Sequence, residues 1–98
     1  MGALPISLTT SDYKAVTSTS TQFDTTMVSG VQYMVVSSVA AWIRIGSNPT
    51  AAADTDQNHY LPANVARFVA ASGANNKVAI IRDTADGDAT LSAVEGVF

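Results

Sequence analysis

The sequence contains no cysteine and a single histidine, His59. Disulfides therefore play no part in this protein, and nothing in it marks a redox compartment. One histidine without cysteine also excludes structural zinc, which needs several nitrogen or sulfur ligands. Charge is scarce: five Lys+Arg stand against eight Asp+Glu, and 13% of residues are charged. There is no basic patch of the kind nucleic-acid binding requires, so no nucleic-acid partner is expected. No apolar run approaches the roughly 20 residues of a membrane span, and no membrane partner is expected either. The opening MGALPISL lacks a charged region followed by an apolar run of signal-peptide length, so no export signal is expected. A glycine-rich phosphate loop is missing, which leaves a nucleotide cofactor without support. Apolar spacing of three and four residues never persists, which sets helix aside almost everywhere.

What replaces charge is threonine, serine and alanine. Threonine suits a pleated strand through its branched β-carbon. A weakly charged, hydroxyl-rich surface is either one that is easier to bury against a partner than a Lys/Glu-rich one or the ordinary composition of many secreted or bacterial β domains. Ninety-eight residues make one domain with a core able to fold without metals or staples. Residues 1–98 are read as a single β domain, with a possible N-terminal arm at 1–10 and a core region at 31–95.

The clearest signal runs from Val31 to Glu95, where short apolar segments are separated by polar turns. Val31, Tyr33 and Val35 share one strand face and Gln32, Met34 and Val36 the other, a pattern expected for burial on both sides. In Ala41-Trp42-Ile43-Arg44-Ile45 the two isoleucines share a face, and Trp42 and Arg44 lie opposite. Such an Arg either stacks on the indole or lies along it as a cover. Residues 46–60 have no periodicity and open on the turn signal Asn48-Pro49. Asn75-Asn76 and Asp86-Gly87 read as hairpin turns, because Asn and Gly accept positive φ. The last three strands are therefore expected to form a meander of two consecutive hairpins. Upstream, Ser29-Gly30 marks a turn, and residues 12–28 read as one or two polar strands or a long loop.

In the arm, Leu4, Ile6 and Leu8 alternate, and Pro5 deletes a ladder donor, as suits an edge strand. It pairs within its own sheet or, alternatively, with a neighbouring subunit. The expected fold is a single antiparallel β-sandwich or barrel of about six to eight strands. Val35, Ile43, Ile45, Phe68, Val78, Ile80 and Leu91 are the expected core.

No arrangement of side chains announces chemistry. Asp54, Asp56 and Asn58 place oxygens at alternate positions as an EF-hand loop does, but His59 stands where glycine is needed and Val65 where glutamate is needed. Asp83, Asp86 and Asp88 read as turn residues. His59 has no recognisable nucleophile and orienting acid, so it reads as an ordinary loop histidine. Neither catalytic residues, nor a cofactor, nor a metal is expected, and the protein is read as no enzyme.

The segment from Trp42 to Ala51 (WIRIGSNPTA), followed by Leu61-Pro62-Ala63 and then Lys77-Val78-Ala79-Ile80-Ile81, resembles a family of small structural proteins of tailed bacteriophages. The resemblance spans about residues 31–95, roughly two thirds of the chain. It implies a virion component with a β-sandwich or barrel fold, made in the host cytoplasm and placed on the capsid exterior. A decoration or cement protein of this kind bridges major capsid protein subunits, stabilises their lattice and acts as a small homo-oligomer, a dimer or trimer. Leu4, Pro5, Ile6, Leu8, Trp42, Asn48 and Pro49 are the candidate interface on that reading. The alternative is a tail-fibre recognition module that binds a host-surface glycan through Trp42 and Tyr60.

Overall fold

The computed structural model describes residues 6–8, 12–52, 58–71 and 73–96, and they form an all-β single domain. Nine strands appear among them: β1 (Ile6–Leu8), β2 (Asp12–Val16), β3 (Thr21–Gln22), β4 (Gln32–Ser37), β5 (Ala41–Gly46), β6 (His59–Leu61), β7 (Arg67–Ala70), β8 (Lys77–Arg82) and β9 (Gly87–Gly96). They build two antiparallel sheets. The first, sheet A, has the order β1-β9-β4-β7, with β2 also paired to β9. The second, sheet B, has the order β3-β8-β5-β6. β9 is long enough to hold two partners along one side: β1 pairs with its residues 94–96 and β2 with its residues 87–91. Sheet A is thus five strands in four lateral positions.

The alternation read from the sequence sets which residues meet between the sheets. Tyr33 and Val35 of β4 and Ala89 and Leu91 of β9 point inward from sheet A. Ala41, Ile43, Leu61, Val78 and Ile80 point inward from sheet B. Five of the expected core residues (Val35, Ile43, Val78, Ile80 and Leu91) are therefore buried, while Ile45 packs half-buried at the core's edge. Phe68 is a correction: it is 54% exposed. On β7, Val69 lies opposite the inward Tyr33, so Phe68, one residue earlier, lies opposite Met34 on the outer face. β4 is also not buried on both sides, since Gln32 is exposed and Met34 and Val36 are half-buried.

The weakly patterned stretch 12–28 supplies β2 and β3 and three core residues, Val16, Phe23 and Met27. Phe23 and Met27 lie on irregular chain held by discrete bonds. The Phe23 amide donates to the Val78 carbonyl at 2.9 Å, and the Met27 amide to that of Asn76 at 2.7 Å. Asp12 Oδ2 accepts from both the amide and the hydroxyl of Thr25, at 2.8 and 2.9 Å. The Val28 amide donates to the buried Tyr33 hydroxyl at 2.8 Å. Gly30 adopts φ 84° inside a turn closed by Val31 N–H to Val28 C=O at 3.2 Å, where only a residue without a Cβ sits easily.

The expected meander of the last three strands does not form. β7 pairs with β4 in sheet A, β8 with β5 and β3 in sheet B, and β9 with β4 back in sheet A. The turn signals were sound locally, for Asn75 does take φ 58°. They mark chain that crosses between sheets rather than hairpins. Adjacent turns can carry the chain to either sheet, and the inward face decides which.

Candidate functional site

Side-chain alternation on β5 turns Trp42 and Arg44 away from the core formed by Ile43. Trp42 stands opposite Tyr60 of the edge strand β6 and Ile81 of β8. The two rings meet edge to face, with centroids 5.2 Å apart and planes at 63°. The indole Nε1 donates to Asp83 Oδ1 at 3.1 Å. Trp42 is thereby half-buried and fixed, and it holds Tyr60, which remains 46% exposed. The ring that meets the indole among the described residues is Tyr60; Arg44 does not stack on it.

β6 and β7 are the open edges of sheets B and A, and a groove of about 410 Å³ lies between them. Ile43, Ile45 and Val69 line it together with Tyr60, Phe68, His59 and Arg67. The connection between the two edge strands carries Val65, 45% exposed. Asn64 in that connection adopts φ 60°, and its amide donates to the Ser37 carbonyl at 2.7 Å. Three of the large apolar residues that the fold leaves exposed, Tyr60, Val65 and Phe68, thus fall within one segment of chain. Among the described residues, Arg67 and His59 line it and no carboxylate does.

The candidate interface residues do not come together. Ile6 and Leu8 belong to β1, whose backbone pairs with β9 at the edge of sheet A. Leu4 and Pro5 lie outside the described residues. Trp42, Asn48 and Pro49 belong to sheet B and the loop that leaves it. That loop folds back onto its own domain: Gln22 Nε2 donates to Asn48 Oδ1 at 2.8 Å and to the Pro49 carbonyl at 3.0 Å. Pro49 and Ala51 are buried, and the Ala51 amide donates to Ser20 Oγ at 2.9 Å. Asn48 keeps an exposed side chain. Asp54 and Asp56 lie outside the described residues.

The turn aspartates each bond to a protein group. Asp83 takes the indole of Trp42, Asp86 takes Arg82 Nη1 at 2.6 Å, and Asp88 takes the hydroxyl of Tyr13. Among the described residues no three His, Asp or Glu side chains gather as a cation site would require. What the sequence did not signal is the surface exposure of Phe68 and Tyr13. Knowing that β7 is an edge strand with Val69 turned inward would have found Phe68. Comparison with protein-family models, with curated proteins and with solved structures finds no match.

Proposed function

We propose that this chain is a non-enzymatic structural protein of a tailed-phage particle, a decoration protein that docks on the major capsid protein lattice through its β6–β7 corner. The observation that carries the reading is the exposure of Tyr60 and Phe68 in a groove they line together with Ile43 and Ile45, between two open sheet edges. Exposed aromatic and aliphatic residues grouped in this way mark an interaction surface. Tyrosine held by a fixed tryptophan is suited to an interface, because little side-chain freedom remains to be lost on binding. The resemblance of the 42–51, 61–63 and 77–81 segments to phage structural proteins names the partner. Binding only the assembled lattice would stabilise it by mass action, by an amount that grows with the logarithm of the free concentration relative to Kd.

The glycan-binding alternative asks Trp42 to offer an open ring face and a free N–H. Its N–H is engaged by Asp83 and one side of the ring is met by Tyr60, which favours the structural reading. The test is sedimentation of purified protein with assembled heads. Expected is saturable co-sedimentation in fixed ratio to the capsid subunit and greater resistance of the heads to heat. The pair Tyr60→Ala and Phe68→Ser should weaken binding at least about tenfold, since interface anchors commonly carry 2 kcal/mol or more, while leaving the fold intact. Failure to bind heads, with binding to host cells instead, would replace this reading by the recognition module.

A further inference from the structure

Register puts two basic side chains on the core-facing side of the open edges. His59 of β6 stands opposite the buried Ile43, so it leaves its strand toward the core. Arg67 of β7 stands opposite the buried Val35 and leaves its strand on the same inner side. Both are nevertheless exposed. The two sheets therefore do not close on each other at this end. The groove between β6 and β7 opens instead onto Ile43, Ile45 and Val69, which belong to the core or pack against it. Among the described residues the ion pairs are Lys14–Asp24 and Arg82–Asp86, which leaves Arg67 without a carboxylate.

We propose that this groove takes an extended segment of the partner protein, paired antiparallel to β7, in which an apolar residue is followed two positions later by a carboxylate. The inference rests on the reading of the β6–β7 corner as the docking site and names what the partner presents there. β7 ends sheet A among the described residues, so the backbone groups on its outer side are open to another strand. A strand added to such an edge gains affinity from main-chain bonds and specificity from its alternate side chains. Every strand pair among the described residues is antiparallel, and the added strand continues that pattern. Its residues opposite Val69 and Arg67 are two apart and share the core-facing side. The one beside Val69 enters the groove against Ile45 and is apolar. The one beside Arg67 meets an unpaired guanidinium, with His59 lining the same groove, and carries a carboxylate. Because the two strands run in opposite directions, the apolar residue comes first. Arg67 also rejects strands without that carboxylate, since they would bury its charge unpaired.

The probe is a synthetic peptide of about eight residues, within the usual range of strand length. It is blocked at both ends and polar except for leucine and glutamate, two positions apart in that order. Titrated into the isotope-labelled full chain up to about 1 mM, it should shift the amide resonances of residues 67–70 saturably and compete with heads in sedimentation. Exchanging leucine and glutamate, or replacing glutamate by lysine, should weaken binding at least about tenfold. Arg67→Glu should make the lysine peptide the better ligand, and Arg67→Gln should erase the preference; a merely damaged fold would weaken both peptides alike. Methylating the peptide amides that face β7 should abolish binding although every side chain is kept. Absence of saturable shifts overturns the proposal, as does equal binding of the glutamate and lysine peptides to the wild type. If heads bind and the peptide does not compete, the corner docks without this strand and this inference alone falls. If the peptide binds as expected and heads do not, the strand site stands and the capsid reading falls.

Discussion

Phe23 is the largest side chain wholly withdrawn from solvent among the described residues, although it sits on irregular chain rather than in a strand. Truncating it leaves a cavity between two sheets that cannot collapse. Phe23→Ala should cost about 3–5 kcal/mol, a large part of the 5–15 kcal/mol expected for a whole domain, as read by the urea midpoint. Two glycines make a contrasting pair. A Cβ on Gly87 would lie 2.6 Å from Ser38 Oγ and 2.7 Å from Val39 Cγ2, whereas one on Gly30 meets nothing within 4 Å. Ser38 Oγ is not free to move without loss, because it accepts the Asp88 amide at 3.0 Å. Gly87→Ala should therefore destabilise through crowding by about 1–3 kcal/mol. Gly30→Ala should cost about 1–2 kcal/mol through its left-handed φ alone, and equilibrium unfolding of the two variants would distinguish crowding from backbone strain by the repacking each needs. Tyr13 offers a pH test. Its hydrogen bond to Asp88, helped by partial desolvation and by the carboxylate's charge, holds the phenol above its usual range. The proton is thus bound more tightly in the folded state. The resulting stability is fully present below the unfolded pKa of about 10 and is lost as pH rises through the folded value. The stability difference between the wild type and Tyr13→Phe should be constant near neutrality and shrink only at alkaline pH.

At the scale of elements, β9 is the organiser. It lies inside sheet A with β4 on one side and both β1 and β2 on the other. β1 contributes three residues of backbone pairing, Ile6 to Gly96, Ser7 to Glu95 and Leu8 to Val94. Deleting residues 1–9 exposes that edge of β9 and removes those bonds. At about 1 kcal/mol net for such a short pairing, the melting temperature of the isolated domain should fall by about 4–8 °C. An unchanged melting temperature would mean that the arm's place is not in this sheet. The edges β6 and β7, like β1, have no further strand beside them among the described residues. Unpaired edges invite association and need control. β6 and β7 are short, at three and four residues, and β7 carries an exposed Arg67, features that limit open-ended strand pairing.

The whole molecule is built from pairings distant in sequence. β1 and β2 at one end of the chain pair with β9 at the other, and β3 pairs with β8. Loop-closure entropy must be overcome before such contacts form, so all-β chains of this kind fold on the scale of milliseconds to seconds. Stopped-flow refolding followed by Trp42, the single tryptophan, should show a phase in that range. Relaxation within microseconds would contradict the topology. Trp42 is a suitable reporter because its environment, Tyr60 on β6 and Asp83 after β8, forms only when sheet B closes.

The sequence by itself determined the class of fold and part of its inward face. Alternation in residues 32–37, 41–46, 77–82 and 90–95 follows from the pleat, which is local, and it placed Val35, Ile43, Val78, Ile80 and Leu91 correctly inside. Turn chemistry was equally local: it marked turns at Ser29-Gly30 and Asn75-Asn76, where Gly30 and Asn75 take positive φ, whereas Gly87 of the Asp86-Gly87 signal does not. Tertiary structure alone decided the rest. Which sheet a strand joins depends on partners far along the chain, so the expected meander became strands dealt alternately to two sheets. The facing of Phe68 depends on register against β4, since a one-residue shift reverses every side chain. Phe23 and Met27 are buried because other segments close over them, and no periodicity on irregular chain could announce that. Trp42 and Tyr60, eighteen residues apart, meet because β5 and β6 pair in one particular register. The outward face of sheet A, with Asp88 as its one carboxylate among the described residues, likewise exists only once β2, β9, β4 and β7 lie side by side, for each strand's charges are placed locally but their common direction is a property of the sheet.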